Sequence, residues 1–383
     1  MMKQGYGPQE MTKILDMSYS DLPLHLKSCF LYLSTFSENC TILKDCLIRR
    51  WIAEGFIPLR KGESLWSVGE SYFKELARRG LLQLVLNDIN DEIGCTIHNI
   101  IHEFIRSLST EENFVGEHLS SISYPCDTVR RFTRDCSKQY ESGVLSSMTV
   151  HLSKVRSLAV SGNTNKQLSD VSTFKLVWVL DLEGATGLRK RQLRSVRSLV
   201  LLRYLSLRGT DAYQLPREMK ALQHLETVDL RQTNVNHLPQ LATAKLVSLL
   251  GDHLVIPRDM DDMLELEELF VIVVSRRYSM VNAANIIRKS KLLRVLGVRF
   301  ESCDDQMGLM PFLDAVNYSN LQTFVVDDYS ELHLADGTYE LHPTLEDGAV
   351  AESLIAEAEA GLAEDPSAST PLEGKPRSIN PTF

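Results

Sequence analysis

The sequence predicts a multidomain chain of mixed class, an α+β domain of helices with one β-hairpin followed by an α/β solenoid of stacked, strand-bearing repeats. Three observations predict it. Between residues 11 and 115, apolar positions recur at helical spacing and then switch to strand spacing. Between residues 151 and 330, a leucine pattern recurs, at 23 residues in its clearest pair and about 27 to 28 downstream. After residue 330 that pattern fades and acidic residues take over. The expected organisation is a stub (1–10), the helical domain (11–115), a connector (116–150), the repeats (151–330) and an acidic, mostly disordered tail (331–383).

The helical domain opens with "DLPLHLKSCFLYLSTF", where Leu22, Leu26, Cys29, Phe30, Leu33 and Phe36 lie near a 3.6-residue period and Pro23 suits a first turn. "TILKDCLIRRWIAEGF" places Leu43, Leu47, Trp51 and Ile52 on one stripe, with Gly55 near its end. "SVGESYFKELARRGLL" starts on Ser67 and Glu70, the pattern of a capping box, and turns Val68, Tyr72, Phe73 and Leu76 inward before Gly80 stops it. The period then changes. "LLQLVL" and "CTI" read as two strands around the polar turn "NDINDEIG", and "HNIIHEFIRSLS" returns to helical spacing. Three helices and a hairpin make a winged-helix plan, a relative of the helix-turn-helix.

The repeats align "LLRYLSLRGTDAYQLPREM" with "LQHLETVDLRQTNVNHLPQL" at an interval of 23, pairing Leu205 with Val228, Leu207 with Leu230 and Leu215 with Leu238. "LSKVRSLAV" and "FKLVWVLDLEGA" extend the pattern upstream, and "LEELFVIVV", "LLRVLGVRF" and "LQTFVVDD" extend it downstream. This is a leucine-rich repeat, whose units stack because none can bury its own leucines. Residues between those leucines are expected on a solvent-facing concave surface. Tyr204, Ser206, Arg208, Thr227, Asp229, Arg231, Val271, Gly297 and Arg299 fall there. Of these, Tyr204, Arg208, Asp229, Arg231 and Arg299 are the candidate protein-binding residues. A basic run, Arg189, Lys190, Arg191, Arg194, Arg197, Arg203 and Arg208, is either a contact for an acidic surface or a solvated edge.

Composition narrows the function. The net charge of −9 is uneven: thirteen acidic residues from Asp327 onward face Lys375 and Arg377, so residues 1–326 carry about +2. Seven scattered cysteines without a C-x-x-C pair suit a reducing compartment. No signal peptide or spanning segment is visible. A winged helix that reads DNA needs a basic face. Here Lys44, Arg49 and Arg50 are offset by Asp45 and Glu54, and the wing turn carries Asp88, Asp91 and Glu92 with no base. Nucleic acid is therefore a disfavoured partner. No nucleophile, base or carboxylate pair has catalytic spacing, and the chain is expected not to be an enzyme.

The stretch "CTIHNIIHEF" puts His98 and His102 on one helical face. Asn99 stands where a zinc protease has its glutamate base, and no fourth ligand accompanies Cys95 and the two histidines. No metal is expected. His98 reads as a helix start and His102 as a residue on the polar or half-buried side.

In order and spacing, "ILDMSYSDLPLHLKSCFLYLSTFSEN", "LIRRWIAEGFI" and "VGESYFKELARRGLLQ" resemble the winged-helix segment of plant nucleotide-binding leucine-rich-repeat disease-resistance proteins. The coiled-coil subclass of cereals is the nearest, and the repeats extend the likeness to about residue 330. The resemblance implies an intracellular innate immune receptor, located in the cytoplasm or alternatively the nucleus. It implies protein partners: a pathogen effector, a guarded host protein or an upstream nucleotide-binding domain. In the family a Met-His-Asp triplet stands here and its histidine contacts the phosphates of ADP; Ile97-His98-Asn99 takes its place. His98 and Asn99 are thus the implied cofactor-binding residues. No G-x-x-x-x-G-K-[ST] loop occurs in the chain. ADP or ATP is expected only where a nucleotide-binding domain upstream of Met1 is supplied. The family's early repeats also pack on that domain, which offers a partner for the basic run. A winged-helix DNA-binding regulator and a non-functional truncated gene product are the alternative readings.

Overall fold

The computed structural model describes residues 8–87, 91–116, 129–137, 154–164, 171–242, 244–257, 260, 263–274, 277–300, 320–328 and 339–341. The chain divides into two compact units, Met1–Glu340 and Leu341–Phe383, and the architecture below is that of the first. The expected disorder of the tail and the tip of the wing at Asp88 fall outside the described residues.

The helical domain runs α1 (Pro8–Ser20), α2 (Leu24–Tyr32), a short 3-10 turn (Leu33–Thr35), β1 (Ile42–Leu43), α3 (Lys44–Glu54), α4 (Leu65–Arg78), β2 (Gln83–Leu86), β3 (Glu92–Thr96) and α5 (Asn99–Glu111). Phe30, Leu47, Trp51, Phe73, Leu76 and Ile105 are fully buried at its centre. These are the stripes that the 3.6-residue period picked out. The expected stub was too long, because α1 begins at Pro8 within it. The expected capping box also shifts. α4 starts three residues earlier, with Ser64 as the cap accepting from the Ser67 N–H at 3.0 Å. Ser67 is thus capped rather than capping.

The hairpin of β2 and β3 gains a third strand that periodicity missed. β1 pairs antiparallel with β3, Ile42 opposite Cys95 and Leu43 opposite Gly94. Gly94 is required there, because a Cβ would sit 2.4 Å from the Ile42 carbonyl oxygen. This strand delivers the chain into α3, which ends on Gly55 at φ +78°, a left-handed stop that only glycine adopts cheaply. Both ends of α3 are therefore fixed.

The repeats form one parallel sheet: β4 (Arg131–Asp135), β5 (Ser157–Asn163), β6 (Val179–Asp181), β8 (Tyr204–Ser206), β9 (Thr227–Asp229), β10 (Ser248–Leu254), β11 (Glu268–Val274), β12 (Val295–Phe300) and β13 (Thr323–Asp328), with β7 (Ala185–Thr186) beside β5. One apolar residue per strand runs through the sheet in register: Phe132, Leu158, Leu180, Leu205, Val228, Leu249, Leu269, Leu296 and Phe324. All are buried. The pairing of Leu205 with Val228 is the one the sequence alignment predicts. The solenoid starts earlier than residue 151, because Phe132 extends this column and draws β4 out of the expected connector. On the return path lie α6 (Lys190–Ser195) and α7 (Arg277–Lys289).

Candidate functional site

The two histidines of "CTIHNIIHEF" separate. His98 is the N-cap of α5, its Nδ1 accepting from the Ile100 N–H at 3.3 Å, and both His98 and Asn99 are exposed. His102 is only 2% exposed, which corrects its expected half-buried place. Its Nε2 bonds the Phe36 carbonyl oxygen at 2.9 Å, and its Nδ1 lies 3.6 Å from the Glu38 carboxylate. Phe36 ends the α2 segment, so His102 ties α5 to it. Cys95 is sealed in the apolar core.

The main site lies elsewhere. α3 is buried on two sides: Leu47, Ile48 and Trp51 enter the core of the helical domain, while Cys46, Arg49, Arg50, Ala53 and Glu54 press into the repeats. Arg50 puts its guanidinium 2.5 Å from Asp181 and 2.8 Å from Glu183, between the rings of Phe36 and Tyr204. Arg49 reaches Glu268 at 2.6 Å and Asp45 at 2.6 Å. Arg231 pairs with Asp229 at 2.6 Å and with Asp45 at 2.8 Å. Glu54 holds Arg131 of β4 at 3.0 Å, and Arg208 holds Glu183 at 2.5 Å. Each buried charge in this clamp meets an opposite one, the condition under which ions tolerate a dry interface.

The clamp corrects the expectation of a solvated concave surface. Tyr204, Ser206, Thr227, Asp229 and Val271 are buried, and Arg208 and Arg231 are half-buried in ion pairs. Gly297 packs on Phe270 and Val271, and Arg299 reaches the His253 ring at 2.8 Å. The alternation that keeps these side chains off the leucine core is as expected, but α3 occupies the space that Tyr204, Asp229 and Arg231 face. The sequence reading passed over Asp181, Glu183 and Glu268. A signal was present, since Asp181 and Asp229 both lie in register with Ser206 between them. The DNA-reading alternative loses its surface as well, because α3 is the helix that would enter the groove.

Burial and charge set the clamp's titration. Desolvation pushes the Asp181 carboxyl up to about 6 against the pull of Arg50. Burial also opposes ionisation of Asp45 and Glu268, but Arg49 with Arg231, and Arg49 with Arg294, hold both below the usual carboxylate range. The signs differ accordingly. Asp181 binds its proton more tightly folded than unfolded, so it favours the folded state increasingly as pH falls from 7 through 6. Asp45 and Glu268 contribute stability above the unfolded carboxylate pKa and lose it only as pH falls through their lower folded values. The melting temperature of the wild type should therefore climb relative to Asp181→Asn between about pH 7 and 5. Parallel curves from scanning calorimetry would refute this.

The basic run divides by environment. Arg189, Lys190, Arg191, Arg194 and Arg197 are exposed at and around α6, Arg208 belongs to the clamp, and Arg203 stacks on Trp178 at 5.0 Å.

With this geometry in place, comparison with known proteins gives a consistent picture. Residues 154–353 match the family model of a leucine-rich repeat region, and residues 35–105 match a disease resistance protein winged helix domain. Disease resistance protein Pik-2 of Oryza sativa subsp. japonica is 37% identical over 247 residues, covering 63% of this chain and 24% of its own length. Disease resistance protein RGA4 of the same organism is 34% identical over 238 residues, 60% of this chain and 23% of its own. Probable disease resistance RPP8-like protein 4 of Arabidopsis thaliana is 32% identical over 314 residues, 77% of this chain and 33% of its own. The chain thus spans about a quarter to a third of the length of these relatives.

Proposed function

The chain belongs to the plant disease-resistance family that joins a winged helix to leucine-rich repeats, and on that premise we propose that it acts as an intracellular, non-enzymatic part of an innate immune receptor. The repeats recognise a pathogen effector or a guarded host protein, and the winged helix passes the event on. The observation that carries this reading is the clamp of α3 on the concave face. A partner that shifts the repeats bears directly on α3. The Arg49–Glu268 and Arg50–Asp181 pairs are buried, so partial separation leaves their charges unpaired, and two discrete arrangements are favoured over a graded one. The work is done in the cytoplasm; among the described residues no helix is long and apolar enough to cross a membrane.

Nucleotide enters this reading only with a nucleotide-binding domain as a further partner. With Nδ1 of His98 accepting from Ile100, the neutral ring carries its proton on Nε2, a donor fit for a phosphate oxygen. One donor at a helix start is not a phosphate cradle, which needs converging backbone N–H groups. Calorimetric titration of the purified chain with ADP should give no binding heat, and micromolar binding would overturn this.

The reading as a whole is tested in the plant. Disrupting the gene should lower resistance to at least one pathogen isolate, and reintroducing it should restore resistance. Unchanged resistance across a broad panel of isolates would sink the proposal.

A further inference from the structure

One residue per repeat immediately precedes the strands and forms a rim along one border of the concave face. Its members are linked by backbone hydrogen bonds: Arg156 N–H to Arg130 O at 2.7 Å, Trp178 to Arg156 at 2.7 Å, Arg203 to Trp178 at 2.8 Å, and Glu226 to Arg203 at 2.8 Å. The Trp178 ring lies 4.7 Å from the Arg156 guanidinium and 5.0 Å from that of Arg203. Both distances match the spacing of neighbouring strands, about 4.8 Å. The indole is therefore sandwiched, with one guanidinium on each face.

We propose that this Arg156–Trp178–Arg203 stack is a docking point for an acidic, extended protein segment, whose carboxylates the two arginines take. The inference deepens, and rests on, the reading of the repeats as a protein-recognition module. Stacking uses the face of a guanidinium and keeps its edge donors for a carboxylate, while the indole holds two long side chains in place before any partner arrives. Charge favours an acid. Arg130, Arg156 and Arg203 share the rim with Glu226, which lies 3.9 Å from Arg203. The nearby buried Glu54 is already held by Arg131 at 3.0 Å. The clamp arginines face acids of the chain itself, whereas Arg156 is exposed. A nucleic-acid strand fits less well. Both faces of the indole are occupied, so no base can stack there.

The two guanidinia stand two strand spacings apart, roughly 10 Å. A polyproline II segment repeats its side-chain direction every three residues, about 9.3 Å along its axis. A peptide with repeated Glu-Pro-Pro-Glu units is thus a suitable probe. Its binding to the full chain is read by fluorescence anisotropy, beside the same peptide with Gln for Glu and a single-stranded thymidine oligonucleotide. The acidic peptide should bind at least about tenfold more tightly than the Gln peptide. The double variant Arg156→Gln/Arg203→Gln should lose about tenfold or more, and Arg191→Gln/Arg194→Gln on α6 should lose nothing. Trp178→Leu keeps every charge and should still weaken binding several-fold, which separates a prepared site from a merely basic one. Should the double variant melt early, Arg156→Lys/Arg203→Lys replaces it, with the same loss expected because lysine neither stacks nor forks. Equal binding to wild type and rim variants, equal weakening by the α6 variant, or binding of the oligonucleotide in preference to the peptide each overturns the proposal. Such a failure is confined to the rim, whereas the immune reading fails only in the plant.

Discussion

Arg50→Glu should detach the winged helix from the repeats while leaving both folded. The substitution sets a third carboxylate against Asp181 and Glu183, where the native guanidinium sits 2.5 Å and 2.8 Å away. Breaking a buried pair by removing one partner costs about 3–5 kcal/mol, and reversing the charge costs no less. The leucine column and the winged-helix core do not include Arg50, so neither should melt. Small-angle scattering should show a larger radius of gyration. Trp66, which packs on Arg294 at 3.9 Å and on Arg49 at 5.4 Å, should become more accessible to iodide. The double variant Arg50→Met/Asp181→Leu should close the interface again, because Glu183 keeps Arg208 at 2.5 Å and no charge is stranded. An Arg50→Glu chain that scatters like the wild type would show that apolar contact, not the clamp, holds the two parts.

The same residue shows where sequence reading stops. Apolar period located α2, α3, α4 and α5, and the repeat interval placed Leu205 against Val228 as the sheet does. Those features are local or recur at a fixed interval, so spacing alone carries them. Arg50 and Asp181 lie 131 positions apart, and nothing in either segment names the other. Taken alone, Arg49, Arg50 and Glu54 look like a solvated helix face, and Asp181 and Asp229 like a solvated strand face. They are buried only because the two faces meet. Tyr204 shows the same limit. Its position in the strand was legible, but its burial beneath Arg50 depends on a helix from another domain. His102 escaped for a related reason. Its partner is the carbonyl oxygen of Phe36, and a backbone acceptor leaves no trace in side-chain pattern.

Trp51→Ala, one residue further along α3, should do the reverse and melt the winged helix while the repeats persist. Trp51 is fully buried in the helical core beside Leu47, Phe73 and Leu76. Truncating a buried Trp to Ala costs about 3–5 kcal/mol, a large share of the stability of a domain this size. The repeats draw their stability from neighbour-to-neighbour stacking of the leucine column, which Trp51 does not touch. Hydrogen exchange should therefore speed up in α2, α3 and α4 and stay slow in β8, β9 and β10. The clamp weakens as a consequence, since an α3 that unfolds no longer presents Arg49 and Arg50 together. Loss of the clamp through Trp51 thus requires local unfolding, whereas loss through Arg50 does not. If Trp51→Ala removes protection from the repeats to the same extent as from the helices, the two parts fold as one cooperative unit and their separate release is excluded.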